Sequence, residues 1–155
     1  MLNDIYQEVK SALQAITGSY PVEWFNMQYE GVIIHENGFF VEFPEALLFD
    51  QLTKDIRRTP IKIRVHVYSK VINTADGIAD ADVAAHEEIA LEALDALDKQ
   101  ELIKTTTIPP VVEGGQPTYT YETLCTRLQF RGWQHWHKWK GWMVTYVDFE
   151  CKKVF

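Results

Sequence analysis

The stretch Ile61 to Lys70, IKIRVHVYSK, sets Ile61, Ile63, Val65 and Val67 in strict alternation with Lys62, Arg64, His66 and Tyr68. Side chains of a strand alternate between faces, so this period of two gives one dry face and one cationic, hydrogen-bonding face. Such a strand is one layer of a sheet whose other side is available to a partner. No reactive group stands beside it, which points to an assembly or binding role and away from catalysis.

Working outward, Val83, Ala90, Leu94 and Leu97 recur at helical spacing between Asp80 and Gln100, with Ile89 and Leu91 beside them, so a second helix follows the turn-like NTADG. Carboxylates dominate its other side, and His86-Glu87-Glu88 reads as part of that wet face. A first helix is expected from Asn3, as cap, to Gly18, as stop, with Ile5, Val9, Leu13 and Ile16 on one side. Glu36-Asn37-Gly38 reads as a hairpin turn joining Val32-Ile33-Ile34 to Phe39 to Phe43, closed by Pro44. Glu45 to Thr53 stays open between an irregular extension and a short helix.

In TTTIPPVVEGGQPT, Pro109-Pro110 and Gly114-Gly115 disfavour regular structure, and a long loop in an ordered domain usually has a use. Two closing strands are expected, Tyr121 to Arg131 and Trp142 to Lys152, the latter alternating Val147, Phe149 and Cys151 with Asp148, Glu150 and Lys152. Between them WQHWHKWK reads as a loop bracketed by Gly132 and Gly141. The order helix, strands, helix, strands predicts an α+β fold, a mainly antiparallel sheet with two helices packed on one face. At 155 residues it fits one domain, residues 1–155, burying about two thirds of the surface its unfolded form would expose.

The formal charge is -7 and the pI near 5.2, which disfavours whole-molecule attraction to nucleic acid or anionic lipid. No apolar run approaches the roughly 18 residues of a membrane span, and MLNDIYQEVKSALQAI lacks the pattern of a secretory signal. A soluble protein in a reducing compartment is expected, with Cys125 and Cys151 as small buried hydrophobes in preference to a disulfide.

Three groups of residues invite a chemical reading. His135 and His137 fall on one side of a strand, but a pair without CxxC, HExxH or a nearby carboxylate does not make a metal site, and no metal or cofactor is expected. Asp76, Asp80 and Asp82 lack the ligand run of a calcium loop and suit the first turn of a helix, where the dipole favours carboxylates. No nucleophile elbow, phosphate loop or dinucleotide fingerprint is present, so an enzyme is not expected. Trp133, Trp136, Trp139 and Trp142 recur every three residues among Arg131, Lys138 and Lys140. They suit an interface or core packing, or, alternatively, a module that stacks glycans or single-stranded nucleic acid on segment 132–141.

IRVHVYSKV, the helix that follows NTADG, the strand TRLQF and the closing VTYVDFECKKVF together resemble small phage and prophage proteins of the tail-terminator or tail-completion type. The resemblance spans Ile61 to Phe155; the Trp-rich segment departs from it. It implies a ring, commonly of six copies, that caps the tail tube and joins it to head-completion proteins, first in the bacterial cytoplasm and then in the virion tail. A ring needs two different complementary patches on each subunit. Lys62, Arg64, His66 and Tyr68 on the strand, Glu88, Glu92 and Asp95 on the acidic helix, and Trp133, Trp136 and Trp139 are the expected interface residues, the first two groups being of opposite sign.

Overall fold

The computed structural model describes residues 1–31, 33–71, 73–74, 77–139 and 141–155, with side chains described throughout these except at 73, 74 and 136–139. In chain order the elements are α1 (Leu2–Gln14), β1 (Val22–Trp24), β2 (Asn37–Glu42), β3 (Asp50–Gln51), β4 (Arg57–Lys70), β5 (Asn73–Thr74), β6 (Gly77–Ile78), α2 (Asp80–Leu97), β7 (Ile103–Ile108), β8 (Thr118–Thr123), β9 (Gln129–Trp139) and β10 (Trp142–Val154). The main sheet runs β1-β2-β4-β10-β9, with β3 also on β4. Every pairing in it is antiparallel except that of β1 with β2. The expected α+β architecture is the observed one.

Strand β4 is the spine. Its register with β10 is unbroken from Lys70 opposite Trp142 to Arg58 opposite Val154, so the two alternations lie in phase. Ile61, Ile63, Val65 and Val67 join Val147, Phe149 and Cys151 on one face, where α1 contributes Ile5, Val9 and Leu13 and α2 contributes Ile89, Ala90, Ala93 and Leu97. Burial of each large aliphatic side chain in this layer favours folding by about 1.5–3 kcal/mol. That apolar layer fixes which face of β4 points outward.

The outward face is not bare. Phe40, Tyr68, Val144 and Tyr146 form a second, smaller apolar cluster, covered by Phe25, Tyr29, Ile33 and Trp142. His66 and Tyr68, expected on the exposed face, are each 1% exposed because Phe25, Tyr29 and Ile33 pack over that end of the sheet. The end carrying Lys62 and Arg64 stays open, as does Lys70 at the far end of the strand.

The first half of the chain departs from expectation in several places. The chain enters α1 before Asn3, which sits in its first turn and accepts a hydrogen bond from Gln7, and the helix ends at Gln14, ahead of Gly18. No hairpin turn lies at Glu36-Asn37-Gly38: Asn37 and Gly38 open β2, which pairs with β1 and β4, while Ile33 and Ile34 lie outside any strand and Val32 lies outside the described residues. Gly38 is required by crowding, since a Cβ there would stand 2.7 Å from the Pro21 carbonyl oxygen and from the Tyr68 hydroxyl. Glu45 to Thr53 is irregular apart from β3.

The expected strand from Tyr121 to Arg131 is two strands. Between β8 and β9 the backbone bonds in turn to Leu102, Lys152 and Gln100, and Leu124, Cys125 and Leu128 are buried on the way. Strand β8 instead belongs to a hairpin with β7, so the Pro-Gly segment is the tip of a two-stranded arm. The arm is tied at its base by an ion pair from Lys104 to Asp4, 2.7 Å, and beyond Lys104 both strands are exposed. Lys104 and the N-terminal ammonium hold the Asp4 carboxyl down at about 2. The segment WQHWHKWK is likewise no loop, because most of it lies in β9, an edge strand of the sheet.

Candidate assembly surfaces

The open end of the outer face carries Lys62, Arg64, Asp148 and Glu150, together with Glu42 at the end of β2 and Glu45 just beyond it. Arg64 meets Asp148 directly across the strand pair, and Lys62 is paired with Glu45. The face expected to be cationic is therefore internally compensated. Alternation within β4 alone gave its charge, whereas β2 and β10 bring carboxylates onto the same surface.

Beside it, residues 25–30 and the sheet enclose a recess of about 240 Å³ lined by Phe25, Met27, Tyr29, Arg64, His66 and Tyr146. The His66 ring stacks on Phe25 at 4.2 Å between centroids, and its Nε2 lies 2.7 Å from Glu42 Oε2. A carboxylate accepts, so Nε2 carries the proton; Nδ1 then accepts from the Tyr29 hydroxyl at 3.2 Å. Burial pushes the His66 pKa down against the opposing pull of Glu42, which favours this neutral tautomer. The arrangement locks the 25–30 cover onto the sheet.

A second histidine is buried on the helix side. His86, expected on a wet face, is 1% exposed and spans α2 and the sheet, with Nδ1 2.8 Å from Ser69 Oγ and Nε2 2.8 Å from Thr145 Oγ1. Burial first, then the nearby His135, depresses its pKa to about 4. The signal was present in its spacing, since His86 stands three residues after Val83 and three before Ile89. His135 also reaches Thr145, at 3.2 Å. Among the described residues no group of three or more His, Cys, Asp or Glu is placed to hold a metal ion.

The acidic helix surface is more one-sided than the outer face. From Val71 to Asp98 the sequence has no Lys or Arg and carries Asp76, Asp80, Asp82, Glu87, Glu88, Glu92, Asp95 and Asp98. Glu88 and Asp95 are exposed, whereas Glu92 is half-buried with its Oε2 shut away from solvent. Its place among the expected outward carboxylates is corrected accordingly. The charge of opposite sign lies on β9, where Gln129 to Trp139 contains Arg131, Lys138 and two histidines but no carboxylate.

The tryptophans do not form one platform. Trp133 lies opposite Val147 and packs on the helix-side core, whereas Trp142 packs on the outer-face cluster with its ring 5.7 Å from Tyr68. Trp136 and Trp139, expected at an interface, have side chains outside the described ones. Cys125 and Cys151 are free, buried and hydrogen-bonded to each other, and that hydrogen bond, with burial behind it, pushes the Cys151 thiol upward. Among the described residues no helix is long and apolar enough to cross a membrane.

No protein-family model matches the sequence, and no curated protein matches it. The fold is shared with a chain of a solved structure described as the virion of native gene transfer agent (GTA) particle. The TM-score is 0.57 at 13% identity, covering 96% of this chain and 90% of that one.

Proposed function

We propose that this protein is a structural component of a phage-like particle, of the tail-terminator or tail-completion type, acting by assembly and not by catalysis. The observation that carries this reading is the fold likeness, over nearly the whole chain, to a chain of a gene transfer agent virion. A shared fold alone does not define function, so the surfaces must supply the rest. Supporting the reading are an exposed two-stranded arm, an open sheet edge and an acidic helix, all suited to contacts between different patches of neighbouring copies.

In this reading the subunits close into a ring, commonly of six, at the head-proximal end of a tail. Glu88 and Asp95 of α2 face a cationic partner in the ring or on the tail, while Lys62 and Arg64 offer polar contacts from the outer face. Assembly takes place in the bacterial cytoplasm, and the ring then stays in the virion. Light scattering on the eluting protein, followed by negative-stain electron microscopy, tests the idea. A closed ring of fixed copy number is expected; a monomer at every concentration, also in the presence of tail tubes, sinks it.

A further inference from the structure

We propose that the β7–β8 arm of one copy adds its β8 strand to the open edge of β9 in the next copy, continuing that copy's sheet. The inference deepens the ring reading and rests on it. Two features left unexplained within a single subunit become one contact between subunits.

The arm is the first. An isolated two-stranded hairpin is at best marginally stable in water. This one has β8 exposed along its whole length and β7 exposed beyond Lys104. Ile108, Val111, Val112, Tyr119 and Tyr121 all face solvent. Five large apolar or aromatic side chains on a slender projection mark a surface that another molecule covers. Thr and Tyr also dominate β8, TYTYET, a composition suited to strand pairing.

The edge is the second. β9 spans eleven residues and, among the described residues, pairs on one side only, with β10. The carboxylate of Asp98 accepts the Phe130 N–H, capping the start of this edge from the end of α2. Beyond it, Arg131 to Trp139 presents a long strand flank, which natural proteins either shorten, block or cover.

Charge selects the pairing. From Thr105 to Thr123 the arm contains Glu113 and Glu122 and no Lys or Arg, whereas β9 contains Arg131 and Lys138 and no Asp or Glu; Glu122 and Arg131 also reach Lys153 and Glu150 of β10, at 3.9 Å and 3.4 Å, so Glu113 and Lys138 carry most of the contrast. Arm against arm would bring like charges together, as would edge against edge; arm against edge joins opposite ones. The contact is heterologous, with a donor arm and an acceptor edge on every copy, which is the condition for ring closure. Backbone pairing supplies the adhesion and the side chains the register, the mode by which strands extend open sheets.

Two full-length variants test it, each removing one half of the contact. In the first, Thr107 to Tyr119 are replaced by Asn-Gly, a turn that fits the Thr106 to Thr120 register. In the second, Gln134→Glu and Lys138→Glu make the edge acidic. Circular dichroism and thermal melting establish that both fold. Each variant alone is expected at monomer mass by light scattering under conditions where the parent chain is oligomeric, and an equimolar mixture is expected to give a heterodimer, since one arm and one edge remain. Variants that still assemble, or a mixture that stays monomeric, overturn the contact. A parent ring unaffected by loss of the arm refutes the arm contact and leaves the ring reading standing. Complementation by the variants while the parent grows into open filaments does the reverse, and a parent that is monomeric throughout removes both.

Discussion

Arg64 and Asp148 face each other across the β4–β10 pair, and the guanidinium donates two parallel hydrogen bonds, Nε to Oδ1 at 2.8 Å and Nη2 to Oδ2 at 2.9 Å. The same guanidinium lies over the Tyr146 ring, 4.6 Å from its centroid. The fork fixes Arg64 in a geometry a lysine cannot copy. Arg64 is thus committed within the subunit, and its role in docking is secondary to its role in holding the sheet.

Asp148→Asn is expected to lower stability by about 1 kcal/mol, because the pair is partly exposed and bidentate. Arg64→Glu is expected to cost more, since it sets a carboxylate beside Asp148. Urea unfolding of Arg64→Leu, of Asp148→Leu and of the double variant Arg64→Leu/Asp148→Leu measures the coupling. A coupling indistinguishable from zero would mean that the pair is ornamental.

His86 makes folding sensitive to mild acid. Its pKa is about 4 when folded and near the ordinary histidine value of 6.5 when unfolded, so below pH 6.5 the unfolded chain gains a proton that the native state refuses. Stability is therefore full above pH 6.5, falls as pH drops towards 4, and loses up to about 3 kcal/mol from this group. His66 is shifted the same way and adds to the slope. Melting temperatures from pH 7 to pH 4 should decline less in His86→Gln than in the parent; equal slopes would refute the assignment.

How far the sequence disclosed this molecule depends on what alternation records. IKIRVHVYSK announced β4 and its two faces because period-two burial is written into one strand. It did not announce that Glu42, Asp148 and Glu150 share the outer face, since the charge of a face is a sum over strands that only the register brings together. Nor did it disclose that Phe25, Tyr29 and Ile33 cover the cluster around His66 and Tyr68, a contact far apart along the chain. Trp133, Trp136 and Trp139 hid a strand because a spacing of three disagrees with a period of two, and the register between β9 and β10 indeed shifts between Trp142 and Val144. His86 was legible from its place in the apolar stripe, but its polarity suggested the opposite face.

Gly38→Ala tests the crowding at the start of β2. The added methyl would meet the Pro21 carbonyl and the Tyr68 hydroxyl at 2.7 Å, and neither the backbone nor a fully buried ring can yield cheaply. A loss of about 1–3 kcal/mol is expected, visible as a lower urea midpoint. An unchanged midpoint would refute the crowding at this position.

The thiols of Cys125 and Cys151 are expected to be silent in the native protein. Both are buried; the hydrogen bond between them pushes the Cys151 thiol up and the Cys125 thiol down, so burial is what shields Cys125 from reagent. A chromogenic disulfide reagent should titrate no thiol under native conditions and both after denaturation. Rapid reaction of the folded protein, or one thiol pair missing after non-reducing denaturation, would contradict two reduced and buried cysteines.

The acidic flank of α2 gives the last prediction. Glu87, Glu88 and Asp95 are exposed and lie in a stretch without a single Lys or Arg, so their mutual repulsion disfavours the isolated subunit unless a cationic partner is near. Converting all three to amides, Glu87→Gln, Glu88→Gln and Asp95→Asn, should leave the fold intact and its melting temperature equal or slightly higher. Steering by these charges would make association fastest at low salt, and exposed charges are screened over about 10 Å at 0.1 M ionic strength. The assembly rate of the parent should therefore fall steeply with added sodium chloride, and that of the triple amide variant should be lower at low salt and nearly flat. If the two proteins share one salt dependence in stopped-flow light scattering, the α2 carboxylates face solvent in the assembled state and the cationic partner lies elsewhere.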